Sequence, residues 1–229
     1  MRHDRAVALP LREILGALGS TLAPALCWSC RGPAAGRGPL CRTCERLLPW
    51  LDPQVPEPEV PAGGLPALDR AWAPLSYEGV ARDLVHALKF AGAAGVAPAM
   101  ARQACDALPP RAFPPRARIV PVPADRGRRR RRGFDHAEAL AAALSELTGL
   151  PVARALERER AQRTGQRGLG RAERLRGSGI SVRARGPAPP ACVLVDDVLT
   201  TGATARACAR TLRAGGASSV FFVAYCRVL

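Results

Sequence analysis

From about residue 67 to its end, the chain alternates short apolar runs with longer stretches in which apolar residues recur at helical spacing. The apolar runs predict strands over residues 70–77, 118–121, 191–195 and 219–227, and a β-rich stretch near 179–183. The helical spacing predicts helices over residues 79–90, 96–108, 135–147 and 201–214. Strands that alternate with helices are typical of α/β proteins, so we expect a mainly parallel central sheet flanked by helices.

The segments before residue 67 have a different pattern. Residues 1–50 contain a stretch with apolar residues at helical spacing, followed by four cysteines. Residues 51–66 are rich in Pro and Gly, which is typical of a semi-extended linker. We therefore expect a small N-terminal module over residues 1–50, a linker over 51–66 and an α/β domain over 67–229.

An apolar stretch near the N-terminus, residues 6–26, is interrupted by Pro10, Arg12, Glu13 and Pro24. These interruptions argue against a signal peptide and against a membrane-spanning helix. We therefore expect a cytoplasmic protein without a membrane span.

Composition adds a large positive charge to this picture. The chain has 34 Lys and Arg against 19 Asp and Glu, a formal net charge of +15, and Lys89 is its only lysine. This excess favours anionic partners, either phosphates and diphosphates or nucleic acid.

The densest basic segment is Arg126 together with the arginines at 128–132. Three interpretations remain open for it. It is a solvated run of charge, or one or two of its arginines contact a diphosphate, or it follows the backbone of single-stranded DNA. In the last case Trp28, Trp50 or Phe134 would stack on bases.

Four cysteines form two pairs, Cys27-Trp-Ser-Cys30 and Cys41-Arg-Thr-Cys44, with ten residues between them. Two such pairs suit tetrahedral Zn²⁺, and four protein ligands make a closed, structural site. Two disulfides or one redox pair are the alternatives, but a reducing cytosol argues against disulfides and a redox pair needs only two cysteines. The remaining cysteines lie at apolar periodic positions and are expected to be small buried side chains: Cys105, Cys192, Cys208 and Cys226.

The strand predicted over residues 191–195 is followed immediately by Asp196 and Asp197, at the edge of a parallel sheet where ligands bind. Residues 199–204 are small and rich in hydroxyl groups and open the next helix, so their N–H groups suit a phosphate. The two carboxylates would accept hydrogen bonds from vicinal ribose hydroxyls or hold Mg²⁺ through water. Each feature alone is common at the start of a helix. Together they indicate a ribose 5-phosphate.

Residues 193–204 resemble the 5-phosphoribosyl-1-pyrophosphate (PRPP) signature of type I phosphoribosyltransferases. With the four-cysteine module, nearly the whole chain resembles the ComF (ComFC-like) family, which is associated with natural competence and DNA uptake. Further similar segments are residues 88–90, 120–123, 132–134 and 163–166. The resemblance implies a type I phosphoribosyltransferase fold with a small N-terminal zinc module, and PRPP with Mg²⁺ as ligand.

The resemblance also implies roles for individual residues. Asp196 and Asp197 would meet the ribose hydroxyls and form the catalytic pair. The 5-phosphate would be bound by Thr200, Thr201, Gly202, Ala203 and Thr204. The diphosphate would be bound by a loop, by Lys89 and by a mobile hood over residues 157–179, through Pro123, Ala124, Arg126, Arg163, Gln166 and Arg174.

Two positions depart from the family pattern. Asp135 and His136 stand where the family more often has Asn-Gln, and Gly177 stands where it tends to have Asn. These departures leave open the fine geometry of the loop and the hood.

We therefore expect a PRPP-binding protein that handles single-stranded DNA during DNA uptake, with the DNA-uptake machinery as a further partner. The alternatives are a metabolic phosphoribosyltransferase for a base or amine, and a PRPP-sensing regulator. If PRPP is turned over, pyrophosphate would leave ribose C1 and a nucleophile would add from the opposite face. The sequence leaves open turnover, the acceptor and the oligomeric state.

Overall fold

The computed structural model describes residues 26–34, 38–52, 67–90, 94–109, 112–124, 134–159 and 180–229. The chain divides into two units, Met1–Leu47 and Leu48–Leu229. The predicted N-terminal helix and most of the predicted linker lie outside the described residues, and the predicted domain limits stay a prediction.

The larger unit is built on a sheet in which all the strand pairs among the described residues are parallel. Its strands are β1 (Arg70–Trp72), β2 (Leu75–Ser76), β3 (Arg118–Pro121), β6 (Ala191–Leu199) and β7 (Ser219–Arg227). The order is β1-β7-β6-β3, and β2 also pairs with β7. This confirms the predicted α/β class with a mainly parallel central sheet.

Two strands differ from their predicted limits. The strand predicted over residues 70–77 is divided into β1 and β2 around Pro74, which has no N–H to donate to a neighbouring strand. Conversely, β6 does not end at residue 195 but continues to Leu199, because its pairing with β7 continues through Asp196, Val198 and Leu199.

The helices of this unit are α2 (Gly79–Phe90), α3 (Ala97–Asp106), α4 (His136–Thr148) and α5 (Ala203–Ala214). Asp135 caps α4 by accepting hydrogen bonds from the N–H groups of Ala137 and Glu138. Gly202 precedes α5 with φ of 69°, a left-handed conformation that favours glycine. All four helices lie within about three residues of their predicted limits.

A second, two-stranded antiparallel sheet pairs β4 (Leu156–Arg158) with β5 (Val182–Ala184). The sequence predicted the β-rich stretch that contains part of β5 but missed β4. Leu156 is buried and belongs to the cluster of apolar side chains between the main sheet and α5. The small sheet is thereby joined to the core.

The core centres on β6 and β7, whose inner residues are almost wholly buried. Cys192, Cys208 and Cys226 are fully buried, as predicted, while Cys105 is only partly buried. Among the described residues, no helix combines the length and the apolar character that crossing a membrane requires.

The smaller unit contains one described helix, α1 (Arg42–Arg46), which begins after Cys41. Leu26 and Pro33 form an antiparallel bridge, and the Cys27 N–H donates to the Gly32 carbonyl at 2.8 Å. The first cysteine pair therefore lies in a tight turn, and the second pair lies at the start of a helix.

Candidate functional site

A cavity of about 460 Å³ lies at the carboxyl ends of β3 and β6. These strands are parallel neighbours, with Pro121 paired to Val195, so the residues that follow β3 meet the end of β6. Among the described residues the cavity is lined by Tyr77, His86, Lys89, Phe90, Val122, Pro123, Ala124, Phe134, His136, Arg158, Asp196, Asp197, Val198, Thr200 and Thr204. This is the edge at which open α/β sheets bind their ligands.

Asp196 and Asp197 lie together in this cavity, but their backbone position differs from the prediction. The sequence placed them after the strand, whereas both belong to β6. The Asp197 N–H donates to Asp196 Oδ1 at 2.9 Å, so the strand itself holds the first carboxylate.

Lys89 offsets the charge of the more buried aspartate. Its Nζ lies 2.9 Å from Asp197 Oδ2, and the Asp197 side chain is only 4% exposed. The contact is an ion pair. The sequence predicts that Lys89 contacts the diphosphate. In this structure Lys89 contacts Asp197, one of the two aspartates next to which the diphosphate is predicted to bind.

The carboxyl of Asp196 is harder to ionise than an ordinary aspartate. Burial, and then the charge of Asp197, raises its pKa above the usual range, although the backbone N–H of Asp197 and the Lys89 ammonium partly oppose this. Since two adjacent carboxylates repel each other, the site favours a cation or hydrogen-bond donors between them.

His136 joins this acid pair and was not predicted as a site residue. Its Nε2 lies 3.8 Å from Asp196 Oδ1 and 3.7 Å from Asp197 Oδ2. One ligand atom from each of the three residues lies within 4.8 Å of the others, an arrangement that fits a divalent cation. The departure from the family pattern at Asp135 and His136 was the sign of this role in the sequence. Asp135 is the N-cap of α4, so His136 is the first residue of that helix.

The predicted phosphate loop reaches the cavity at its two ends. Thr200 and Thr204 line the cavity, whereas Thr201, Gly202 and Ala203 lie outside its lining. The Ala203 N–H donates to Thr201 Oγ1 at 3.4 Å, and Gly202 turns the chain into α5. The binding of a phosphate by this loop stays a prediction.

The predicted diphosphate residues divide into two groups. Pro123 and Ala124 follow β3 and line the cavity, as the predicted loop requires. The others lie outside the described residues: Arg126, Arg163, Gln166 and Arg174.

The cavity also has lining residues that sequence reasoning missed. Arg158 comes from β4, a three-residue strand without a clear signal in the sequence. Three further lining residues carry rings: Tyr77, His86 and Phe90. Phe134, which the sequence suggested as a base-stacking residue, also lines the cavity.

The four N-terminal cysteines come together in the smaller unit. One sulfur from each of Cys27, Cys30, Cys41 and Cys44 lies within 4.8 Å of the others, and the Sγ atoms of Cys30 and Cys41 are 3.7 Å apart. Tetrahedral zinc with Zn–S bonds of about 2.3 Å needs sulfur–sulfur distances of about 3.8 Å, whereas a disulfide needs about 2.05 Å. The cluster therefore fits a metal such as zinc.

The surroundings of the sulfurs favour thiolate formation at part of this cluster. Burial raises the pKa of the Cys27 thiol, but the backbone N–H groups of Cys41, Cys30 and Ser29 together lower it below its usual range. Burial and the neighbouring thiols raise the pKa of Cys44. Because adjacent thiolates repel each other, ionisation of all four requires a bound cation.

No family model matches the chain. Two solved structures are similar in fold: a glutamine PRPP amidotransferase from B. subtilis complexed with ADP and GMP, and a structure of the allosteric regulatory enzyme of purine biosynthesis. They are 20% and 18% identical, with TM-scores of 0.39 and 0.40. The matches cover 61% of this chain and only 30% of each of those chains.

Two curated proteins match over nearly their whole length. The DNA utilization protein YhgH of Salmonella typhi is 32% identical over 224 residues, and that of Escherichia coli (strain K12) is 31% identical over 231. Each match covers 90% of this chain and 98% of the relative. This chain therefore belongs to the family of the DNA utilization protein YhgH.

Proposed function

We propose that this chain is a PRPP-binding, phosphoribosyltransferase-like protein of the ComF family that handles single-stranded DNA in the cytoplasm during DNA uptake. The observation that carries the proposal is one cavity at the carboxyl edge of a parallel sheet. It combines a carboxylate pair, a lysine and the ends of a hydroxyl-rich loop. These are the groups that a ribose with phosphates at both ends requires.

Each part of PRPP has a matching set of groups at this cavity. The carboxylates of Asp196 and Asp197 accept hydrogen bonds from the ribose hydroxyls. The loop from Thr200 to Thr204 and the first turn of α5 bind the 5-phosphate. The backbone after β3, at Pro123 and Ala124, faces the diphosphate.

Magnesium accompanies PRPP in this proposal. Asp196 and Asp197, with His136 beside them, are spaced to fit a divalent cation, and the two aspartates would supply the carboxylate oxygens that Mg²⁺ prefers. When bound, Mg²⁺ supplies charge neutralisation for the diphosphate. The residues of this chain position the sugar, through the two carboxylates.

A structural zinc ion in the smaller unit is the second part of the proposal. The four sulfurs provide a complete tetrahedral ligand set, which leaves no position for a substrate. The zinc therefore stabilises the unit and takes no part in chemistry on PRPP.

The role in DNA uptake is supported by charge and by the relatives. The net charge is +15, and two relatives across nearly the whole chain are named DNA utilization proteins. Basic surfaces bind nucleic acid through its phosphates, independently of sequence.

A metabolic phosphoribosyltransferase is the second candidate, because the same cavity would hold PRPP for transfer to a base. Incubation with PRPP, Mg²⁺ and candidate acceptors, including bases, amines and single-stranded DNA, separates the two. A new small molecule that carries a 5-phosphoribosyl group, together with released pyrophosphate, favours the metabolic enzyme.

Ligand-dependent thermal unfolding tests PRPP binding directly. A ligand that binds only the folded protein raises its stability by RT ln(1 + [L]/Kd), about 2.7 kcal/mol at a hundredfold excess over Kd. We expect PRPP with Mg²⁺ to raise Tm more than ribose 5-phosphate, and glucose 6-phosphate to have no effect. Equal small shifts with all three would contradict the proposal.

Single-strand binding tests the role in DNA. A titration of a fluorescent oligonucleotide should show affinity that falls linearly with salt on logarithmic axes, with a slope of about −0.7 for each phosphate neutralised. If the protein shows no binding even at low salt, DNA handling loses its physical basis.

A further inference from the structure

The cavity is lined by rings as well as by charged groups. The whole chain contains five Phe, two Tyr, three Trp and three His. Five of these residues line this one cavity: Tyr77, His86, Phe90, Phe134 and His136. Single exposed apolar side chains are ordinary on protein surfaces. A cluster at one cavity, in a chain with only 4% aromatic residues, indicates a ligand with a flat apolar face.

Phe90 is an exposed ring of this cavity. It is the last residue of α2 and is 68% exposed. Its ring packs against that of His86, one turn earlier on the same face of the helix, with ring centres 5.6 Å apart and planes 47° apart. The preceding residue, Lys89, reaches into the cavity to Asp197. Phe90 therefore lies at the rim of the cavity that contains the acid pair.

An exposed phenyl ring beside a predicted sugar-phosphate site suits a nucleobase. Every base has a π-face that stacks on an aromatic ring, and stacking tolerates differences in base identity. The ring of His86 packs against Phe90 and places a second ring beside the one on which a base would stack.

We propose that Phe90, supported by His86, is a stacking surface for a nucleobase, so that this cavity takes a base together with a ribose phosphate. The inference rests on the proposed function, because the ribose phosphate part of the ligand is assigned there. The base comes either from a free nucleotide or from a single strand of nucleic acid, and the chemistry of stacking is the same.

Fluorescence of 2-aminopurine, which stacking quenches, tests this surface. The two probes are 2-aminopurine riboside 5′-monophosphate and a single-stranded oligonucleotide with 2-aminopurine at one end. The proteins are the wild type, Phe90→Leu, Phe90→Trp and the control Phe221→Leu. Phe221 lies in β7, is partly buried and does not line the cavity.

We expect wild-type protein to bind and quench at least one probe. Phe90→Leu should bind that probe roughly tenfold more weakly, since stacking of one base is lost, while Phe90→Trp and Phe221→Leu bind as the wild type does. Quenching of the nucleotide alone identifies a free nucleotide as the source, and quenching of the oligonucleotide alone identifies a single strand.

Equal affinity of Phe90→Leu and wild type, or quenching of neither probe by wild type, overturns the stacking surface. PRPP binding is measured in parallel by calorimetry. PRPP binding that survives Phe90→Leu, while base binding is lost, supports both proposals. A wild type that quenches a probe through Phe90 but does not bind PRPP retains the stacking surface and contradicts the proposed function.

Discussion

The two aspartates of the cavity differ in how their charges are offset. Asp197 is nearly buried and is paired with Lys89 at 2.9 Å. Asp196 is 17% exposed and lies 3.8 Å from His136 Nε2. Because burial and the adjacent carboxylate raise its pKa, the ionised form of Asp196 costs folding free energy. Asp196 therefore supplies a carboxylate for a ligand but lowers the stability of the folded protein.

This leads to a prediction for Asp196→Asn. A carboxyl whose folded pKa is raised contributes stability that is present below its unfolded pKa, about 3.9, and is lost as pH rises toward the folded value. The free energy of unfolding of wild-type protein should therefore fall between about pH 5 and about pH 8. Asp196→Asn should not show this loss, because it has no carboxyl group at this position. Urea unfolding at both pH values measures the difference.

The exposed Asp106, at the end of α3, supplies the control, because Asp106→Asn makes the same chemical change away from the cavity. Asp106→Asn should follow the wild-type pH dependence. An Asp196→Asn variant that also follows it would show that Asp196 is not destabilised by its surroundings.

At the scale of elements, the decisive unit is β6, the loop after it and α5. The strand brings both aspartates to the cavity, and Gly202 in a left-handed conformation starts the helix whose N–H groups are predicted to bind the phosphate. Gly149, at the end of α4, has φ of 72°, almost equal to the 69° of Gly202.

These two glycines make a matched pair. Alanine in a left-handed conformation costs about 1–2 kcal/mol, so Gly202→Ala and Gly149→Ala should both lower the free energy of unfolding by about that much. Only Gly202→Ala should weaken PRPP binding, roughly tenfold, because hydrogen bonds to a charged group are worth about 1.5–3 kcal/mol. If calorimetry gives both variants the same PRPP affinity, the start of α5 is not the phosphate site.

The cysteine cluster is also a property of elements, since one tight turn and the start of α1 bring its sulfurs together. Cys44→Ser replaces a buried ligand and should abolish a zinc content of about one ion per chain. Cys105→Ser, in α3 and outside the cluster, should keep it. Elemental analysis of protein purified without added metal measures both, and equal zinc content in the two variants would contradict the assignment.

Sequence patterns predicted these elements well where local signals are strong. The strand–loop–helix unit around residues 191–214 and the two cysteine pairs have their chemistry in continuous segments. In contrast, β4 is three residues long and is defined by its partner β5, far along the chain. The contribution of Phe90 to the cavity depends on where the tertiary fold places the end of α2, which no local pattern encodes.

At the scale of the whole molecule, the family relationship and the cavity suggest different ligands. The relatives are named for DNA utilization, whereas the ligand that we propose for the cavity is a small sugar phosphate. The two agree if the proposed PRPP ligand, as substrate or signal, accompanies the handling of single strands by this positively charged chain. The stacking surface at Phe90 would join the two, because a base belongs both to nucleotides and to DNA.

The central claim is that Asp196 and Asp197 bind the ribose of PRPP. Calorimetric titration of PRPP with Mg²⁺ into wild-type protein, the double variant Asp196→Asn/Asp197→Asn and the control Asp106→Asn tests it most directly. We expect binding to wild type and control alike, and affinity roughly a hundredfold weaker in the double variant, since each substitution removes a carboxylate charge and replaces one acceptor oxygen with a donor. Unchanged PRPP affinity in the double variant would contradict the account.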